Sequence, residues 1–214
     1  MAKREKLLGQ CPLCAGLEEG EIARLLPCIK AKFVSLAPGE EVLPREEGST
    51  LVAVVLEGEA AVTDGTGKLT ATLNAGDHFG GGYACLGRAL TVSVTAVTPC
   101  EVMRFDCRRA LSTCDHSCKS HRRLIKSLVH SMAEESLERE EKLAILSQKT
   151  TKDKLLAYLR RQARLQGSDE FLIPLDRQGL ADYLGVERSA MSTELGKLRR
   201  EGVLECKKNW FKLL

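Results

Sequence analysis

The chain has 214 residues, enough for one large domain or two modest ones. Its 43% hydrophobic and 29% charged content is ordinary for a soluble globular protein. No apolar run approaches the roughly 18–20 residues of a membrane-spanning helix. The charged start, Met1-Ala2-Lys3-Arg4-Glu5-Lys6, leads into no long apolar segment, so no secretory signal is expected and the chain reads as cytoplasmic. Net charge is only +3, but residues 148–214 hold 14 Lys and Arg against 9 Asp and Glu, a balance of +5. The carboxy-terminal end is therefore the part suited to a polyanion.

Taken in order, residues 1–30 read as short helices, with Leu7, Leu8, Leu13, Leu17, Ile22, Leu25 and Leu26 near a 3.6-residue period. From about Ala31 to Phe105 the pattern changes to short strands. Turn signals at Pro38-Gly39, Glu57-Gly58, Asp64-Gly65-Thr66-Gly67 and Asn74-Ala75-Gly76-Asp77 separate apolar or alternating runs. In Thr91 to Val97 the alternation is strict, placing Val92, Val94 and Ala96 on one face. Many short strands with glycine turns about every ten residues predict a compact β-roll.

A long helix is expected from about Asp115 to Leu146. Leu124, Ile125, Leu128, Val129 and Met132 give it an apolar stripe, and Glu134 to Lys142 is almost wholly charged. A small roll cannot cover so long a helix, so the stripe predicts a parallel seam with a second copy of the chain, the alternative being a helix packed only on its own domain. A second helix (Thr151 to about Leu165) and a polar turn at Gln166-Gly167-Ser168-Asp169 follow.

The most informative segment begins at Asp176, a good N-cap. Leu180, Ala181 and Leu184 form the apolar face of a short helix, which Gly185 ends. A second helix from about Glu187 to Arg200 turns Met191, Leu195 and Leu198 inward, and Gly202 ends it. Helix, tight glycine turn, helix is the helix-turn-helix pattern of DNA-reading proteins. Val203–Cys206 and Trp210–Leu214 then flank Lys207 and Lys208, as in the wing of a winged helix. Residues early on the second helix reach base edges: here Arg188, Ser189, Ser192 and Thr193. Arg188 can donate two parallel hydrogen bonds to guanine O6 and N7. Arg177, Lys197, Arg199, Arg200, Lys207 and Lys208 are the candidates for phosphate contacts, which position without specifying. None of the four histidines (His78, His116, His121, His130) falls in a recognisable catalytic motif, so an enzyme is not expected.

In this order of parts the chain resembles the Crp/Fnr family of bacterial transcription regulators. The motifs are Leu13-Cys14-Ala15-Gly16-Leu17, Gly76-Asp77-His78-Phe79-Gly80 and, most specific, the run from Arg177 to Ser192. The resemblance implies an α+β architecture in three parts. Residues 1–114 would be a cyclic-nucleotide-binding-like β-roll (double-stranded jelly-roll type), 115–146 a dimerisation helix, and 148–214 a winged helix-turn-helix. It implies a homodimer on a pseudo-palindromic operator in double-stranded DNA, with RNA polymerase a further candidate partner and no membrane. Ser189 and Thr193 stand where relatives often carry Glu and Arg, which leaves the operator sequence open.

The same resemblance bears on the effector. Cyclic-nucleotide-binding relatives neutralise the phosphate with Arg and read the ribose with Glu beside a glycine-rich turn. Here the turn is Phe79-Gly80-Gly81-Gly82-Tyr83, with glycine at the Glu position, and Leu90 stands at the Arg position. A cyclic nucleotide is therefore disfavoured, although His78, Gly80, Gly81, Gly82, Tyr83, Arg88 and Thr91 remain a candidate pocket for an unidentified small molecule. No cofactor is expected. Nine cysteines in a reducing compartment suggest buried small apolar residues rather than disulfides. Two alternatives stay open. One is an iron–sulfur cluster drawing on Cys11, Cys14, Cys28, Cys85 or Cys100. The other is a metal or thiol switch at Cys107, Cys114, Cys118 and His121.

Overall fold

The computed structural model of the chain describes residues 2–45, 49–112 and 119–214. Two units are distinguished, Met1–Glu134 and Glu135–Leu214. In the first, helices α1 (Ala2–Gln10) and α2 (Glu19–Cys28) flank a single 3₁₀ turn at Pro12–Cys14. A reciprocal capping box starts α2: the Glu18 carboxylate accepts from the Glu21 backbone, and Glu21 accepts from the Glu18 N–H at 3.1 Å.

Seven strands follow: β1 (Lys32–Leu36), β2 (Leu51–Glu57), β3 (Ala60–Thr63), β4 (Leu69–Leu73), β5 (His78–Phe79), β6 (Ser93–Ala96) and β7 (Cys100–Asp106). They form two antiparallel sheets, ordered β1-β7-β2-β5 and β4-β3-β6. The apolar run of β2 is explained by burial on both faces. Ala53 and Val55 join Val62, Val94, Ala96 and Val102 in the core of the roll. Val52, Val54 and Leu56 face the other way, with Leu8, Leu13, Ile22, Leu25, Met103 and Phe105, in a second core that the amino-terminal helices cover. Short helices α3 (Gly81–Leu86) and α4 (Cys107–Leu111) complete the roll.

The expected long helix is α5 (Lys119–Leu146); the residues before it, 113–118, lie outside those described. Leu124 and Leu128 are buried in the same core as Leu8 and Phe105, and Ile145 is buried in the core of the second unit. Among the described residues, no helix is long and apolar enough to cross a membrane.

The second unit adds α6 (Thr151–Gln166), β8 (Glu170–Leu172), α7 (Arg177–Leu184), α8 (Arg188–Arg200), β9 (Leu204–Lys207) and β10 (Trp210–Leu213). Its sheet has the order β8-β10-β9. The sequence pattern gives the β9–β10 hairpin but not its third strand. Phe171 of β8 pairs with Phe211 of β10, and their rings stack with centroids 6.3 Å apart.

Candidate nucleic-acid interface

Local signals set the two helices that form the site. The Asp176 carboxylate accepts from the Gly179 N–H at 2.7 Å and starts α7. Gly185, at φ 60° and ψ 46°, closes α7 in the left-handed conformation, where a side chain would be strained. Glu187 is the first residue outside α8 rather than inside it. Leu180, Ala181 and Leu184 of α7 pack with Met191, Leu195 and Leu198 of α8, all buried, together with Leu155, Tyr158 and Leu159 of α6.

Burial of one face of α8 leaves the other free. Arg188, Ser189, Ser192 and Thr193 are all exposed, on successive turns at the start of the helix. The Ser192 hydroxyl donates to the Arg188 carbonyl at 2.9 Å, and the Thr193 hydroxyl to the Ser189 carbonyl at 3.0 Å. Both hydroxyl protons are thus committed to the helix, and the outward oxygen lone pairs accept. The guanidinium of Arg188 is left as the long donor of the group.

The candidate phosphate contacts differ among themselves. Arg199, Arg200, Lys207 and Lys208 are exposed. Lys208 adopts φ 53° at the tip of the hairpin, a left-handed turn that sets β9 against β10. The Lys197 ammonium lies 2.6 Å from the Glu194 carboxylate, so a phosphate would have to compete with that ion pair. Arg177 is half-buried: its guanidinium stacks 4.9 Å over the Phe211 ring, and its Nη1 is buried without a partner among the described residues. Of the six, Arg177 is the one held by packing.

The roll carries the candidate effector residues around α3. The Tyr83 hydroxyl and Thr91 Oγ1 are 2.8 Å apart, and the Arg88 N–H donates to the Tyr83 carbonyl at 3.0 Å. His78, half-buried, pairs with Val54 across β5 and β2. Of the three glycines, only Gly80 is demanded by close packing. Gly80 has φ 97°, and a Cβ there would lie 2.8 Å from Leu43 Cδ1. A Cβ on Gly81 would lie 3.5 Å from Leu128 Cδ1 and 3.8 Å from Met132 Sδ of α5. Gly82 faces open space. Leu90 is buried among the apolar side chains of the roll.

The predicted seam residues fall on different sides of α5. Leu124 and Leu128 belong to the chain's own core, and Met132 packs against it. Ile125 is half-buried, whereas Val129 is 57% exposed; Leu137 and Leu143, outside the predicted stripe, are exposed as well.

Of the cysteines, Cys11 and Cys14 are buried in the helical core. Burial, and then the charge of Asp77, push the Cys11 thiol up; burial, and then Cys11, push Cys14 up to about 12. Burial thus disfavours the thiolate form at both positions, the form a metal cluster would need. The Nε2–H of His121 donates to the carbonyls of Ala110 and Arg109, at 2.7 and 3.0 Å, so that nitrogen is already used. Cys114 and Cys118 lie outside the described residues. Among those described, no three His, Cys, Asp or Glu side chains converge as a metal site would require. Sequence spacing missed one pairing: the sulfurs of Cys85 and Cys107 are 3.2 Å apart.

Comparison with known proteins agrees with both halves. Residues 153–214 match the family described as the Crp-like helix-turn-helix domain, and residues 33–117 match the cyclic nucleotide-binding domain. The chain belongs to the Crp/Fnr family. As a Crp/Fnr protein it is a DNA-binding transcription regulator, with the roll, long helix and winged helix-turn-helix of that architecture. It is 23% identical over 201 residues to the nitrogen fixation regulation protein FixK of Bradyrhizobium diazoefficiens, covering 90% of this chain and 81% of that one. Among solved structures, the catabolite activator protein of Thermus thermophilus shares 20% identity over 95% of this chain and 93% of its own, with a TM-score of 0.55. The c-di-GMP responsive global regulator CLP of Xanthomonas campestris shares 16% over 92% and 99%, with a TM-score of 0.54. At these identities the structural likenesses show the fold of this Crp/Fnr chain and leave its effector unassigned.

Proposed function

We propose that this Crp/Fnr regulator acts as a homodimer that reads a pseudo-palindromic DNA site, with Arg188 as its principal base-reading residue. The observation that carries the reading is the two-sidedness of α8. Met191, Leu195 and Leu198 are buried, while Arg188, Ser189, Ser192 and Thr193 stand exposed at its start. Arg199, Arg200, Lys207 and Lys208 hold phosphates, and Lys197 joins them once released from Glu194. Arg177 supports the wing sheet through Phe211 and offers its remaining donors to the backbone. Residues 1–114 serve as sensor, 115–146 as dimer helix and 148–214 as DNA reader.

Selection of bound sequences from a random duplex pool tests this directly. The expected product has two half-sites about one helical turn apart. On that duplex Arg188→Ala should lose about 1–3 kcal/mol and relax the preference at one position per half-site. Unchanged affinity and selectivity would remove Arg188 from the reading, and recovery of no sequence preference would sink it.

The effector acting at the roll is a small molecule other than a cyclic nucleotide. Leu90 supports this, because a buried leucine packed into the roll offers nothing to a cyclic phosphate. Calorimetric binding of cyclic AMP at micromolar concentration would refute that part.

A further inference from the structure

Cys85 lies near the end of α3 and Cys107 opens α4, 22 residues apart in sequence, yet their sulfurs are 3.2 Å apart. A disulfide needs about 2.05 Å, so roughly 1 Å of approach would complete the bond. Their exposures differ in a useful way. Cys85 is exposed, whereas Cys107 is fully buried. We propose that Cys85 and Cys107 form a peroxide-reactive dithiol site, oxidised reversibly to an intramolecular disulfide that changes how α3 sits on α5 and so changes the DNA affinity of the regulator. Only the final step, the effect on DNA, rests on the function proposed above.

Access assigns the roles. Cys85 is the sulfur that a peroxide can reach. Its thiolate attacks one peroxide oxygen; the S–O bond forms, the O–O bond breaks, and the departing hydroxide leaves as water, giving a sulfenic acid on Cys85. The Cys107 sulfur then attacks the Cys85 sulfur. The S–S bond forms, the S–O bond breaks, and the second hydroxide takes the Cys107 proton and leaves as water. Two thiols and one hydrogen peroxide thus become one disulfide and two waters. Cys107 suits the second step. Its sulfur already lies 3.2 Å from that of Cys85. Burial, the contact with Cys85 and the charge of Asp106 push its thiol up, which disfavours direct reaction with peroxide, and the departing hydroxide takes the proton it must give up. An external thiol restores the pair.

The location gives the bond a lever. Gly81, at the other end of α3, is buried beside α5, the helix that runs on to Leu146: a Cβ there would stand 3.5 Å from Leu128 Cδ1 and 3.8 Å from Met132 Sδ. Drawing Cys85 toward Cys107 moves a six-residue helix whose opposite end faces α5.

The test treats the reduced full-length protein with hydrogen peroxide, maps disulfide-linked peptides by mass spectrometry, and measures affinity for the selected duplex before and after. The expected result is a Cys85–Cys107 cross-link that dithiothreitol reverses. DNA affinity should change by at least threefold, and Cys85→Ser, an exposed substitution, should abolish both effects. Cys107→Ser should stop the chemistry at a Cys85 sulfenic acid trapped by dimedone. If that buried variant fails to fold, the Cys85→Ser protein and the peptide map still decide. Oxidation of exposed Cys28 with Cys85 and Cys107 left as thiols, or linkage of Cys85 to a different cysteine, would overturn the site. A quantitative Cys85–Cys107 disulfide with unchanged affinity would overturn the switch. Should the reduced protein select no DNA, the function proposed above fails while the peptide map still judges the dithiol.

Discussion

Gly80 and Gly82 lie two residues apart in one turn, and their surroundings ask opposite things of them. At Gly80, φ is 97°, and an added Cβ would meet Leu43 Cδ1 at 2.8 Å and the Leu51 carbonyl oxygen at 3.1 Å. Backbone strain and the carbonyl contact act together there, and only the leucine methyl can yield. Gly80→Ala should therefore destabilise the protein by about 2 kcal/mol or more, read from the urea midpoint. Gly82 is exposed on α3 with nothing within 4 Å of an added Cβ, so Gly82→Ala should be neutral or slightly stabilising. Equal costs at the two positions would refute this account of the turn. The glycine run is visible in the sequence, and it resembles a phosphate cradle. Which glycine answers to backbone conformation and which is replaceable depends on Leu43 and Leu51, residues about 30 to 40 positions away that no local pattern ties to the turn.

At the scale of elements, the union of α5 and α6 rests on polar as well as apolar contact. The Glu141 carboxylate of α5 accepts from both Arg161 and Arg164 of α6. The hydrogen bond from Arg161, foremost among several causes, holds the Glu141 carboxyl below its ordinary value of 4.5. A carboxyl depressed in the folded state adds stability above its unfolded pKa, and that contribution is lost as pH falls through the folded value. Glu141→Gln should therefore lower the thermal midpoint at pH 7, with the gap from the parent closing as pH drops below about 4.5. Because Glu141 is 37% exposed, the effect should be small, under about 1 kcal/mol. A gap that stays constant into acid would show that the pair contributes nothing through charge. Elements with local punctuation are the ones the sequence makes legible. Asp176 and Gly185 bracket α7, and the Met191, Leu195, Leu198 spacing gives α8 its inner face. Strand β8 has no such marks: three residues become a strand only because Phe171 meets Phe211. The Cys85–Cys107 contact is equally unreadable, since a separation of 22 residues has no periodicity to exploit.

For the whole molecule, periodicity alone shows that α5 has an apolar stripe but not what covers it. The roll takes Leu124 and Leu128, and side chains already packed in their own core cannot also form a seam. The exposed large apolar side chains of α5 are Val129, Leu137 and Leu143. Val129 and Leu143 lie two heptads apart on one line of the helix, beside the line of half-buried Ile125 and of Met132, the latter leaning on the chain's own core. These lines have the geometry of paired positions in a parallel coiled coil. Ser136 and Arg139 fall on the same two lines between the apolar residues, so the seam would be weak at its middle and depend on its ends. Placing a carboxylate at each end should therefore be enough to part it. Val129→Glu combined with Leu143→Glu should convert the proposed dimer to a monomer in sedimentation experiments while leaving the thermal unfolding of each unit in place. Affinity for a duplex with two half-sites should then fall by at least tenfold, because the second head no longer binds at high effective concentration. Affinity for a single half-site should not change, since neither residue lies on α8 or the wing. A variant that stays dimeric would move the interface off α5. One that becomes monomeric yet binds the two-half-site duplex as before would separate dimerisation from DNA reading.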